Sequence, residues 1–125
     1  MNATATSFAT YKDLLGYIKC LLSGGTETSC YAKGDNGIGC WGDVTATQKV
    51  SAVAVPKSEM KKKFGDWKLA RKAPVRVTLN SGASFDAIVL DCSPDGIVDL
   101  NPGALLAAKL SPESELSTPA TWNWL

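Results

Sequence analysis

The stretch Leu90-Asp-Cys-Ser-Pro-Asp-Gly-Ile-Val-Asp-Leu100 places three carboxylates, Asp91, Asp95 and Asp99, within nine residues. Apolar residues run into it from Ala87 and resume at Ile97, so it reads as a strand, a Pro-Asp-Gly turn and a second short strand. Asp95 before Gly96 is turn chemistry, since the short side chain bonds its own backbone and glycine takes the left-handed position. Asp91 and Asp99 each end or interrupt an apolar strand, where an ionised carboxylate is costly unless it is hydrogen-bonded or faces a groove. Two carboxylates held close push their pKa values apart, leaving one a proton donor and the other ionised. That is the minimum equipment for cleaving a glycosidic bond. The competing reading is local, with both side chains accepting backbone N–H bonds at the loop ends. Calcium is a third use of clustered Asp, but the ligand order of an EF-hand is missing.

Working outward, Val75 to Leu79 alternates as a half-buried strand, Asn80-Ser81-Gly82 is a turn, and Ser84 to Leu90 answers as the second arm of a hairpin. Downstream, Asn101-Pro102 opens a helix through Leu105, Leu106 and Leu110, with Asn101 as cap and Pro102 in first position. The alternation of Ala120 to Leu125 makes a closing strand. Upstream, Val50 to Val55 alternates up to Pro56, and Ser58 reads as the cap of a basic amphipathic helix that runs to Phe64 and closes at Gly65. Leu14, Leu15, Ile18, Leu21 and Leu22 recur at helical spacing between Tyr11 and Gly24, which predicts an amphipathic helix docked on the domain or on a partner. Residues 1–10, small and hydroxyl-rich, read as an arm. The domain organisation predicted is an arm and helix over 1–27 and a mainly β domain over 28–125. Five or six short strands without a βαβ rhythm are best closed as a barrel, which leaves no exposed edges.

A chain of 125 residues with 45% hydrophobic and 20% charged residues is one small domain. Thirteen Lys+Arg against 12 Asp+Glu give no strong field for nucleic acid, and the absence of histidine removes imidazole as base, metal ligand or pH switch. No apolar stretch approaches the ~20 residues of a membrane-spanning helix. Met1 to Thr6 lacks the basic start and apolar core of a secretory signal, so no export signal is expected in the sequence shown. Cys20, Cys30, Cys40 and Cys92 allow three complete pairings, or buried thiols, and lack the short Cys-x-x-Cys spacing of structural zinc. No metal or other cofactor is expected.

Two further features bear on partners. Lys57, Lys61, Lys62, Lys63, Lys68, Arg71 and Lys72 form the one charge run, which is either a solvated helix face or a patch for an anionic partner. Gly34 to Gly42 holds four of the eleven glycines, without the framing of a phosphate-binding loop, and is flanked by Tyr31 and Trp41. Flat aromatic faces beside acids suit stacking on a sugar ring, although Trp67 and one of Trp122 or Trp124 are better read as core.

Taken together, the segment Ala87 to Ala104 resembles the signature loop of the double-psi β-barrels of the rare lipoprotein A, barwin and expansin group, in which a strand ending in Asp, with Cys and Pro close behind, leads through a short loop to an Asp-Leu-Ser-Pro motif and a helix. Cys30-Tyr31 and Gly37-Ile-Gly-Cys-Trp-Gly42 are similar to that group's Tyr-containing first strand and Gly-x-Cys-Gly-Trp loop. The resemblance implies a six-stranded double-psi barrel with two short helices, preceded here by the N-terminal helix. It implies pairing of Cys40 with Cys92, Asp99 as the acid and then base of a lytic transglycosylase with Asp91 as its companion, and a glycan, peptidoglycan first, lying against Tyr31, Trp41 and the adjacent Asp43. Members without such activity use the same groove to bind polysaccharide. Cys92 directly follows Asp91, the loop to Asp99 is short, and Asn101 stands where Ser is usual. The extra N-terminal segment, residues 1–22, suits docking into a larger assembly such as a virion or tail, in an extracellular or cell-envelope setting.

Overall fold

The predicted hairpin anchors the architecture. The computed structural model describes residues 1–125, with β3 (Pro74–Leu79) antiparallel to β4 (Ser84–Ser93) around the Asn80–Gly82 turn. Alternation decides which side chains enter the core: Val75, Val77 and Leu79 of β3 and Phe85, Ala87 and Val89 of β4 are buried, while Arg76 and Asp86 pair outside. β2 (Ala52–Pro56) runs parallel to β4, and β5 (Ile97–Leu100) runs antiparallel to β2. The closing strand, β6 (Ser117–Trp124), pairs with β3 and places Trp122 in the core.

Residues 2–7 are no arm. They form β1 (Asn2–Ser7), parallel to β5 and antiparallel to β6, and this strand closes the barrel in the order β1-β5-β2-β4-β3-β6. Small side chains misled the reading of composition: Ala3 and Ala5 bury little area, yet Ala5 is fully enclosed, and both edges of β1 are used up in hydrogen bonding. The barrel therefore includes residues 2–7, and the segment from Thr10 to Ser51 lies between β1 and β2.

That insertion holds α1 (Tyr11–Leu22), begun by a capping box between Thr10 and Asp13, and a four-residue helix α2 (Glu27–Cys30). Cys30, expected with Tyr31 in a first strand, ends α2 instead and is bonded to Cys20 of α1. α3 (Lys57–Phe64) follows β2 directly and stops at Gly65, whose φ is 83°. Its cap is Pro56, without a side-chain bond; Ser58 donates instead to Asp95 at 2.7 Å. A short 3₁₀ turn spans Trp67–Ala70, and α4 (Pro102–Ala107) has the expected Asn101 cap. No helix is long and apolar enough to cross a membrane.

Asn101 does more than cap. It is fully buried; its Oδ1 accepts from the Ala104 and Ala52 N–H groups at 2.8 and 3.0 Å, and its Nδ2 donates to the Thr45 and Val50 carbonyls at 2.9 and 3.0 Å. One side chain thus ties α4, β2 and the end of the insertion together. Asn101→Ala is expected to destabilise by about 3–5 kcal/mol, because it strands several buried backbone groups. Asn101→Ser, which keeps the cap alone, should recover only about 1 kcal/mol of this in urea unfolding. A loss of under about 1 kcal/mol for Asn101→Ala would show the tether to be dispensable.

Candidate functional site

The pairing of β2 with β4 shifts by one residue: Val53 lies opposite Val89, but Ala54 lies opposite Asp91, leaving Leu90 as the extra residue of a bulge. Strict alternation from Val89 would turn Asp91 inward; the bulge turns it outward and swings Cys92 toward the core. On the other side of β2, Ala54 lies opposite Asp99, and Asp99 in turn lies opposite Thr6 of β1. Thr6, Asp99, Ala54 and Asp91 thus form one row across four adjacent strands, on the outer face of the barrel. With strands about 4.8 Å apart, the two aspartate Cα atoms are separated by roughly 9–10 Å.

Each carboxylate has its own holder. Thr6 Oγ1 donates to Asp99 Oδ1 at 2.7 Å. Asp91 Oδ1 accepts from the backbone N–H of Cys92 and from that of Cys40, both at 2.8 Å. Cys40 and Cys92 are the two halves of one disulfide, with Cα atoms 6.0 Å apart, so a single covalent bridge presents both donors to the same oxygen. The glycine loop can lie this close only because position 39 lacks a side chain: a Cβ on Gly39 would stand 2.0 Å from the Leu90 carbonyl oxygen, at the bulge itself. Both cystines are formed and no cysteine is free.

Two more carboxylates belong to the cluster and were not read from sequence. Asp35 sits in the glycine loop, accepts from the Gly37 N–H at 2.6 Å, and donates its own N–H to the Asp13 carbonyl. Gly34 permits that contact, since a Cβ there would lie 1.9 Å from the Asp13 oxygen. Burial pushes Asp99 up to about 6, against the lowering effect of the Thr6 hydroxyl and with help from the charges of Asp35, Asp91 and Asp13. Burial also raises Asp91, opposed by the Cys92 and Cys40 N–H groups, and raises Asp35, opposed by Gly37. An acidic residue inside a glycine-rich loop was the signal for Asp35; Thr6 had none, because its strand was not recognised.

The aromatics flank this face unequally. Tyr31 is 53% exposed, stacks obliquely on Tyr17 with centroids 5.4 Å apart, and its hydroxyl accepts from Asn36. Trp41 is half-buried and packs on Trp67 at 5.6 Å, its indole nitrogen enclosed without a partner. Asp43 is forked by Arg71, whose guanidinium holds its carboxyl below the usual range. Trp122 is the core tryptophan of the final strand, and no cluster of His, Cys, Asp or Glu is arranged to hold a metal. A concavity of about 480 Å³ beside α1 includes Asp13. Asp91 and Asp99 are both half-buried, and Ala54 between them is covered, packed with Phe8 and Ala9.

Two consequences are measurable. In the Cys40→Ala/Cys92→Ala double variant the Asp91 carboxyl should titrate at higher pH by carboxyl-carbon NMR, since donors that favour its ionised form are released; an unmoved titration would assign its environment to the strand alone. Asp99→Asn should stabilise the fold by about 1–3 kcal/mol above pH ~6 and little below pH ~4. The sign follows from a folded pKa raised above the unfolded one, so that ionising Asp99 weakens the native state as pH rises through that window. Equal effects at both pH values would mean that Asp99 titrates normally.

No protein-family model matches the chain, and no curated protein matches it significantly. Solved structures do. An apo expansin of Clavibacter michiganensis superposes with a TM-score of 0.56 at 16% identity, over 99% of this chain and 49% of that one. A mutant of the same expansin in complex with cellohexaose gives 0.52 at 16% identity, over 100% of this chain and 50% of that one. A Streptomyces papain inhibitor is 26% identical over 70% of this chain and 84% of its own, with a TM-score of 0.45. The chain spans about half the length of the expansin chains. The closed six-stranded barrel is therefore the double-psi β-barrel fold that the expansin structures share.

Proposed function

We propose that this barrel interacts with cell-wall polysaccharide through the half-buried side chains of Asp99 and Asp91, and that Asp99 protonates a glycosidic oxygen there, with peptidoglycan as the favoured glycan. The observation that carries the reading is the pairing of two carboxyls in different holders on either side of Ala54: burial raises both, Asp99 to about 6 beside one hydroxyl, while two N–H groups oppose the rise at Asp91. The expansin seen with cellohexaose supports a glycan as ligand. Tyr31, exposed and bonded through its hydroxyl to Asn36 next to Asp35, serves as a stacking surface; Trp41 and Asp43 are held by Trp67 and Arg71 on the loop that carries Cys40.

In a lytic transglycosylase step, Asp99 gives its proton to the bridging oxygen as the C1–O bond breaks. The sugar's own O6 closes on C1, and the Asp99 carboxylate takes the O6 proton, so no water is consumed and the acid is restored. Asp91, in its ionised form, stabilises the positive charge that develops on the ring, and the Cys40 and Cys92 N–H groups favour that form. The cleavage rate should fall as pH rises through about 6, where Asp99 loses its proton. Asp99→Asn should cut release of soluble fragments from purified sacculi by about 10²-fold or more while sedimentation with the sacculi is retained. Undiminished release would remove Asp99 from the chemistry. The cover over Ala54, which narrows the space between the two carboxyls, favours one second reading, a non-catalytic glycan-binding module, which predicts binding to the same sacculi with no fragments released by the wild-type chain. Two fully formed cystines suit an oxidising setting outside the cytoplasm for either reading.

A further inference from the structure

Residues 57–72 carry seven of the chain's 13 cationic residues and two of its 12 acidic ones, a net +5 that leaves the other 109 residues at −4 in a chain of +1. The fold keeps that segment together. Met60 and Ala70 are fully buried anchors of α3 and of the 3₁₀ turn, and Phe64 meets the edge of Trp124 at 5.3 Å, so the apolar side of α3 is spent on the barrel and its lysines face outward. Only Lys62, with Glu59, and Arg71, with Asp43, have carboxylate partners. Lys57, Lys61, Lys63, Lys68 and Lys72 have none, and the Lys57 ammonium sits 4.0 Å above the Trp67 ring.

We infer that this basic and aromatic surface binds an anionic polysaccharide, one bearing carboxylates or phosphates, and extends the glycan face proposed above, on which the inference rests. Continuity argues for a shared ligand. Trp67 packs on Trp41, the residue after Cys40, whose N–H holds Asp91; Arg71 forks to Asp43 on the same loop. A chain lying along this line meets lysines, then two tryptophans, then the aspartate row. The composition argues against other polyanions. Five lysines are point charges that track a charged polymer without reading it, and the one arginine of the segment is occupied by Asp43, so base edges have no fork to pair with. A bilayer would need an apolar face on α3, and that face is covered.

The test is co-sedimentation of the full chain with insoluble polygalacturonate, with cellulose as the neutral glycan, and with sacculi before and after stripping of their phosphate polymers. Wild type is compared with Lys61→Gln/Lys63→Gln/Lys68→Gln, whose exposed positions leave the thermal midpoint unchanged as a fold control. Capture by polygalacturonate or unstripped sacculi should fall at least about tenfold between roughly 0.01 M and 0.15 M ionic strength, as the Debye length shrinks from about 30 to about 8 Å. The triple variant should lose at least about tenfold at the lower salt and respond weakly to salt, while any capture by cellulose is unaltered. Whichever acidic matrix shows this response identifies carboxylate or phosphate as the recognised group. Capture that is the same for wild type and variant, or unaffected by salt, overturns the inference and leaves the glycan face standing if cellulose or stripped sacculi still bind. Tighter capture by duplex DNA or by vesicles rich in anionic lipid than by the acidic glycans also overturns it. Binding to no glycan at all overturns both this inference and the polysaccharide reading beneath it.

Discussion

The candidate site depends on one extra residue in β4. Because Leu90 bulges out of register, Asp91 takes the outward position beside Ala54, and Cys92 takes the inward one. Without the bulge, the Asp91 carboxylate would be directed among Val53, Val55 and Val89, all fully enclosed, where an ionised group costs several kcal/mol and is shed by protonation or by refusal to fold. The same slip brings the sulfur of Cys92 under the glycine loop, where it meets Cys40. Gly39 then rests on the Leu90 carbonyl with no room for a methyl group. Bulge, cystine and glycine are one device with a single output, the orientation of Asp91.

Asp99 is positioned by the opposite means, a regular strand with a neighbour on each side. β5 lies between β2 and β1, so its outward residue is walled by Ala54 and Thr6, and one of these is small while the other donates a hydrogen bond. Had residues 2–7 been a free arm, β5 would be an edge strand and Asp99 would lose its Thr6 partner. Closure of the barrel by β1 therefore supplies one wall of the Asp99 site and the hydroxyl that tempers the rise caused by burial.

Much of this was legible and some was not, for physical reasons that differ. The hairpin of β3 and β4, the short β5 and the Asn101-Pro102 start of α4 could be read because alternation and capping are local signals carried by the residues concerned. The Cys40–Cys92 bridge came from resemblance alone, since four cysteines leave three pairings open. β1 was missed because alanine and threonine alternate with almost no hydrophobic contrast. Ser58 was misassigned because a hydroxyl near a helix start is free to serve a distant partner, here Asp95. The bulge, the contribution of Asp35 and the four-way tether of Asn101 depend on what lies across the sheet, and no window along the chain contains that information.

The division of charge keeps cations and buried carboxylates on separate parts of the chain. Burial, reinforced by the charges of Asp35, Asp91 and Asp13, makes Asp99 hold its proton up to about pH 6. Cations close to this cluster would undo the effect, since a lysine beside Asp99 would favour the carboxylate and lower its pKa. The lysines of α3 are placed instead beyond Trp41 and Trp67, and the one cation bonded to the intervening loop, Arg71, is neutralised by Asp43. An apolar, disulfide-stiffened partition therefore separates the groups that would attract a charged polymer from the group that would act on it, so that attraction and acidity need not be traded against each other.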